Sequence, residues 1–151
     1  MRENKKKDGG IKMKDLSNEE QILIAYYVQY YRGASAEEIE KLHEQLRNEI
    51  GEETYDKALQ KLKDRGRVSG LEKVKENNEN GTPIPMATND GILAINTLFE
   101  ITSDSAEESQ LYYLENNLKT SGFQFTLNPV KQYVEEAFRK EAEKEPNQNR
   151  P

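Results

Sequence analysis

The residues with most chemical potential are one histidine, a run of tyrosines and a set of basic side chains at helical spacing. His43 is the only histidine, and there is no cysteine. A zinc-type site needs several imidazole or thiolate ligands, and a nucleophilic triad needs a serine or cysteine set against a histidine base. A lone His43 beside Glu40 and Glu44 on a charged helix offers neither, so it reads as a surface or boundary residue. No glycine-rich phosphate loop is present. Carboxylates are plentiful, but they fall on charged helix faces, with no pair in the apolar setting that tunes an acid for proton transfer. The expectation is a protein that is not an enzyme, with no catalytic residue, no metal and no cofactor.

The basic residues suggest binding instead. In the helix expected over residues 52–65, Tyr55, Ala58, Leu59 and Leu62 share the inward stripe. The outward face then carries Glu53, Lys57, Gln60, Lys61 and Asp64. Lysines pair with phosphates, and a glutamine can read an adenine edge. Between Glu52 and Lys75 seven basic residues face five acidic ones, while the whole chain carries −6. The positive charge is therefore local. Lys57, Gln60, Lys61 and Arg67 are the expected DNA contacts, with Lys73 and Lys75 on the hairpin that follows. The competing reading is a solvated face stitched by a Glu53–Lys57 pair one turn apart. Glu76 and Glu79 oppose a phosphate backbone in the same way at the hairpin tip.

The tyrosines could stack bases, as in single-strand binders. Their helical spacing favours packing. Tyr26 and Tyr30 fall with Ile22, Leu23 and Ala25 on one face, and Tyr27 and Tyr31 with Ile24 and Val28 on the other. A helix apolar on both faces is covered on both sides. One side serves the local core. The other requires the C-terminal helices or a second subunit.

These side chains are placed by helices with clear boundaries. Ser17-Asn18-Glu19-Glu20, Ser35-Ala36-Glu37-Glu38 and Ser105-Ala106-Glu107-Glu108 each have the serine and glutamate spacing of a capping box. Asn128-Pro129 is a fourth start. Gly33, Gly51, Gly66 and Gly122 mark stops. The expected helices cover residues 18–32, 36–49, 52–65, 89–101, 106–120 and 129–143. Between the third and fourth, residues 67–74 and 82–87 read as strands around an Asn-rich turn ending Asn80-Gly81, with Pro83 and Pro85 restricting the second to an edge. Three helices and a hairpin, then three helices, is the order of a winged helix-turn-helix followed by C-terminal helices: mostly α with a small β-hairpin.

The chain of 151 residues is expected to divide into a flexible basic arm (1–15), a winged-helix domain (16–102), a C-terminal helical extension (103–143) and a disordered tail (144–151). Met13 is a candidate native start. No apolar run approaches membrane-span length, and a cysteine-free chain suits a reducing cytoplasm. The stripe of Val130, Tyr133, Val134, Ala137 and Phe138 suits a partner helix, either the first helix of the same chain or a second subunit. Tyr27, Tyr31, Tyr133, Val134 and Phe138 are the expected interface of a homodimer.

The stretch GEETYDKALQKLKDRGRVSGLE, a variable turn and then PMATNDGILAIN carries a helix ending in a basic residue and glycine, a strand, a wing and a Thr-capped helix containing Gly-Ile. It resembles the YjcQ-like winged-helix family of Firmicutes and their prophages, over residues 16–118. The resemblance implies a winged-helix fold and little about activity. The last helix and the basic arm are additions to that pattern. Two functions follow as expectations. One is a DNA-binding phage or prophage regulator of transcription, dimeric on double-stranded DNA. The other is a phage-encoded interaction module that engages a host protein.

Overall fold

The structure is a computed structural model that describes residues 14–33, 35–70, 85–101 and 110–148, with side chains to residue 143. The hairpin tip with Lys73 and Lys75, the cap at residues 105–108 and Met13 lie outside the described residues. Within them the order is β1 (Lys14–Asp15), α1 (Asn18–Arg32), α2 (Ala36–Ile50), α3 (Glu52–Asp64), β2 (Val68–Ser69), β3 (Met86–Ala87), α4 (Asn89–Leu98), α5 (Gln110–Ser121), β4 (Phe123–Gln124) and α6 (Asn128–Gln148). The protein is mostly helical. None of the described helices is long and apolar enough to cross a membrane.

Helix α1 is the axis of the molecule. Ser17 Oγ accepts from the Glu20 amide at 3.0 Å, and Glu20 Oε1 accepts from the Ser17 amide at 2.8 Å, completing the capping box. Every residue from Gln21 to Val28 is 0–2 % exposed. That follows from an apolar sequence with no polar face, because α3, α4, α5, α6 and β3 all pack around it. The second face is thus covered by the same chain. Tyr27, Val134 and Phe138, expected between subunits, are buried inside one chain instead. Tyr27 donates its hydroxyl to Asn96 Oδ1 of α4 at 2.6 Å. Tyr31 and Tyr133 are half-buried against the same core, and the Arg32 guanidinium lies 5.8 Å from the Tyr133 ring centre.

Helices α2 and α3 pack through Ile39, Leu42 and Leu46 on one and Tyr55, Ala58, Leu59 and Leu62 on the other, all buried as the period predicts. Helix α3 ends in a Schellman motif. The Arg67 amide donates to the Leu62 carbonyl at 2.8 Å and the Gly66 amide to the Lys63 carbonyl at 2.9 Å, with Gly66 at φ 75°. Strand β2 then pairs antiparallel with β3, Val68 opposite Ala87 and Ser69 opposite Met86. Thr88 joins this pair to α4. Its hydroxyl donates to the Gly66 carbonyl at 2.6 Å and accepts from the Gly91 amide at 3.0 Å. Gly91 lies so close to the Arg67 carbonyl that any Cβ would collide with it.

The C-terminal half differs most from expectation. Lys14–Asp15, read as part of a flexible arm, form a strand parallel to β4, with Lys14 opposite Phe123 and Asp15 opposite Gln124. Backbone hydrogen bonds from Lys14 to Gly122 and from Leu16 to Gln124 hold it. Helix α6 runs on to Gln148, past the expected start of a tail at 144, and α4 stops at Leu98 rather than 101. The segment read as an extension supplies one wall around α1. Gln21, 0 % exposed, fastens it. Its Nε2 donates to the Leu16 carbonyl and the Thr126 hydroxyl, and its Oε1 accepts from the Thr126 and Leu127 amides. One side chain thereby satisfies four polar groups, including two backbone amides just before α6.

Candidate nucleic-acid interface

The buried stripe of α3 fixes which residues it offers to solvent. With Tyr55, Leu59 and Leu62 inward, Glu53, Lys57, Gln60, Lys61 and Asp64 are exposed on the outer face. Lys57, Gln60 and Lys61 are therefore brought together as the sequence predicts. Their environments differ. Lys57 makes no hydrogen bond or ion pair with another described residue. Gln60 Nε2 donates to Asp64 Oδ1 at 2.9 Å, one turn on. Lys61 Nζ lies 3.2 Å from Glu19 Oε2 of α1. Partial burial by itself raises the Glu19 carboxyl, but a backbone amide, Lys61 and Ser17 outweigh it and hold Glu19 below its ordinary value. The Lys61–Glu19 contact is thus a true ion pair, and it occupies an ammonium otherwise available to a phosphate.

The ends of α3 carry opposite charge. Glu52 and Glu53 stand in its first turn, where the helix dipole favours carboxylates. Lys61 and Lys63 stand in the last turn, and Arg65 follows. An incoming phosphate meets repulsion at the N-terminus and attraction at the C-terminus. Arg47 of α2 grips Asp56 in a fork, at 3.0 Å through Nε and 3.1 Å through Nη2, and reaches Glu52 at 3.5 Å. That neutralises part of the acidic end.

Arg67 is half-buried beyond the Schellman turn. It lines a groove of about 510 Å³ with Glu20 and Leu23 of α1, Arg65, and Asp90 and Leu93 of α4. It therefore faces the α1–α4 side as well as the end of α3. Lys73 and Lys75 fall in residues 71–84, outside the described residues.

His43 is half-buried at the boundary, as its sequence context implies. The sequence gives no sign of its partners. His43 Nδ1 lies 2.8 Å from the Tyr55 hydroxyl, which lies 2.7 Å from the Tyr26 hydroxyl. A polar chain thus runs from the surface of α2 through α3 into the centre of α1. Burial, then the nearby Arg47 guanidinium, push the His43 ring below its ordinary value, against a weaker pull from Asp56 and Glu44. Burial likewise raises the Tyr26 and Tyr55 hydroxyls, so both remain protonated donors. No group of three or more histidine or acidic side chains among the described residues is placed to hold a metal ion.

Comparison with family models, curated proteins and solved structures finds no match to the chain.

Proposed function

We propose that the chain is a winged-helix DNA-binding protein of the YjcQ-like kind, a cytoplasmic phage or prophage regulator of transcription that acts as a dimer. The observation that carries this reading is the exposed Lys57 on the outer face of α3, with Lys63 and Arg65 beyond it and an antiparallel strand pair directly after the helix. In this reading α3 enters the major groove with its C-terminal half nearest the phosphates, and the segment between β2 and β3 is the wing. Lys57, Lys61 and Arg67 contact the duplex backbone, Gln60 contacts a base edge, and Lys73 and Lys75 flank the groove from the wing. Binding costs the Lys61–Glu19 and Gln60–Asp64 contacts, so Lys57 carries a disproportionate share of the affinity. Fluorescence anisotropy on a labelled duplex tests this. Wild type binds with an affinity that falls steeply with salt. Lys57→Glu is expected to weaken binding about tenfold or more, the scale of removing one phosphate contact and adding a repulsion. Unchanged binding overturns the placement of α3.

A second reading has its own support. The outer face of α3 is broken by Glu53 and Asp64, and two of its three candidate contacts are already engaged within the chain. That suits a module that engages a host protein. No retention on duplex at low salt, together with capture of one stoichiometric host protein, selects it over DNA binding.

A further inference from the structure

Helices α5 and α6 and strand β4 enclose an apolar groove of about 520 Å³ on the surface. Its floor is Leu118, Phe123, Phe125, Val134 and Phe138. Glu115 and Lys119 of α5 form one lip, and Lys131 and Glu135 of α6 the other. The two lips are not alike. On α5 the glutamate precedes the lysine, the order that pairs well along a helix, and the two meet at 3.6 Å. On α6 the lysine precedes the glutamate, the poorer order, and neither Lys131 nor Glu135 is in an ion pair with another described residue. Further along α6, Glu136, Arg139, Lys140 and Glu143 pair among themselves. Two opposite charges one turn apart are left unmatched beside an apolar groove.

We infer that this groove is the contact face between two copies of the chain, with the α6 helices antiparallel about a two-fold axis at the level of Tyr133. A two-fold contact uses the same patch twice, so the patch must complement itself. Residues equidistant from the axis face each other. Lys131 of one copy therefore meets Glu135 of the second, and Glu135 of the first meets Lys131 of the second. The apolar floor beneath supplies area removed from water, and it shields the paired charges from solvent. This deepens the dimeric reading above while moving the contact. Tyr27 and Val134 are consumed by the core and add no area to the contact, whereas Phe138, 8 % exposed, contributes the edge that reaches the groove.

The test uses the full chain without DNA and reads molar mass by light scattering or sedimentation. Wild type is expected at twice the chain mass. Lys131→Glu alone and Glu135→Lys alone each replace both attractive contacts by repulsions and should fall to the chain mass. Both residues are exposed, so circular dichroism should show unchanged helix content in each. Mixing the two variants restores opposite charges at both contacts and should return the mass to twice the chain mass. Wild type at the chain mass, dimeric single variants or a mixture that stays monomeric each overturn the assignment. Duplex binding by a monomeric wild type would sink this surface and leave the DNA reading standing. A dimer of the expected charge dependence that ignores DNA would do the reverse.

Discussion

Two polar side chains decide more about this protein than their number suggests. Gln21 lies in the apolar heart of α1, where an unbonded amide would be costly, yet both its ends are fully used. Replacing it with Leu removes the acceptor for the Thr126 and Leu127 amides. Leaving two such donors unpaired should cost about 2–5 kcal/mol of unfolding free energy, measured by urea denaturation. A loss under half a kilocalorie would show that these amides find other partners. His43 makes a prediction with pH. Its folded-state value lies below the ordinary 6.5, so the folded protein favours the neutral ring. The associated stability is complete above about 6.5 and is lost as pH falls through that value toward the folded-state one, below which it levels off. The chain also has a direction. A neutral ring with a bare Nδ1 accepts from Tyr55, and a protonated Nδ1 must donate to it. His43→Gln should flatten the dependence of the urea midpoint between pH 5 and 7.5 that wild type displays. A parallel slope in both proteins would assign it elsewhere.

At the scale of elements, one motif occurs twice with different residues at its critical position. Helix α3 ends with Gly66 in the left-handed region. Helix α4 ends with the same pair of bonds, Ile101 amide to Asn96 carbonyl at 2.7 Å and Glu100 amide to Thr97 carbonyl at 3.3 Å, but with Glu100 at φ 58°. A side chain in that region costs about 1 kcal/mol relative to glycine. Glu100→Gly should therefore stabilise the fold by roughly 0.5–1 kcal/mol in thermal or urea unfolding. A destabilised variant would show that the Glu100 side chain earns its place. The contrast also explains what sequence reading can reach. The starts of α1, α2 and α4 and the outer face of α3 were legible because caps and helical period are local. The end of α4 was not, since a glutamate there gives no stop signal. Strands β1 and β4 are two residues each, too short for any alternation. The partners of Lys61 and Gln21 lie 42 and more than 100 positions away, and nothing in the spacing links them. The basic face of α3 was visible in advance, while the Glu19 carboxylate that occupies Lys61 was not.

At the scale of the molecule, α1 is shared between its N-terminal and C-terminal surroundings. Helix α3 covers one side, α4 and α5 another, and α6 a third. Removing residues 128–151 would uncover the side of α1 that α6 covers, together with the Arg32 end that meets Tyr133. The truncated chain should lose its cooperative unfolding transition, read by circular dichroism against denaturant. A truncated chain that still unfolds in one sharp transition would show that α1–α5 stand alone. The same arrangement has a consequence in time. A ribosome delivers α1 before the other described helices, and the residues that seat Gln21 and pair with Lys14 emerge more than a hundred positions later. Until then an almost wholly apolar helix has no complete cover. The newborn chain must hold this apolar segment exposed, or against temporary neighbours, until those residues emerge. Contacts that close so long a loop also slow the final step of folding. The parallel pairing of β1 with β4, small as it is, works as a clasp that shuts only once Phe123 and Gln124 have emerged.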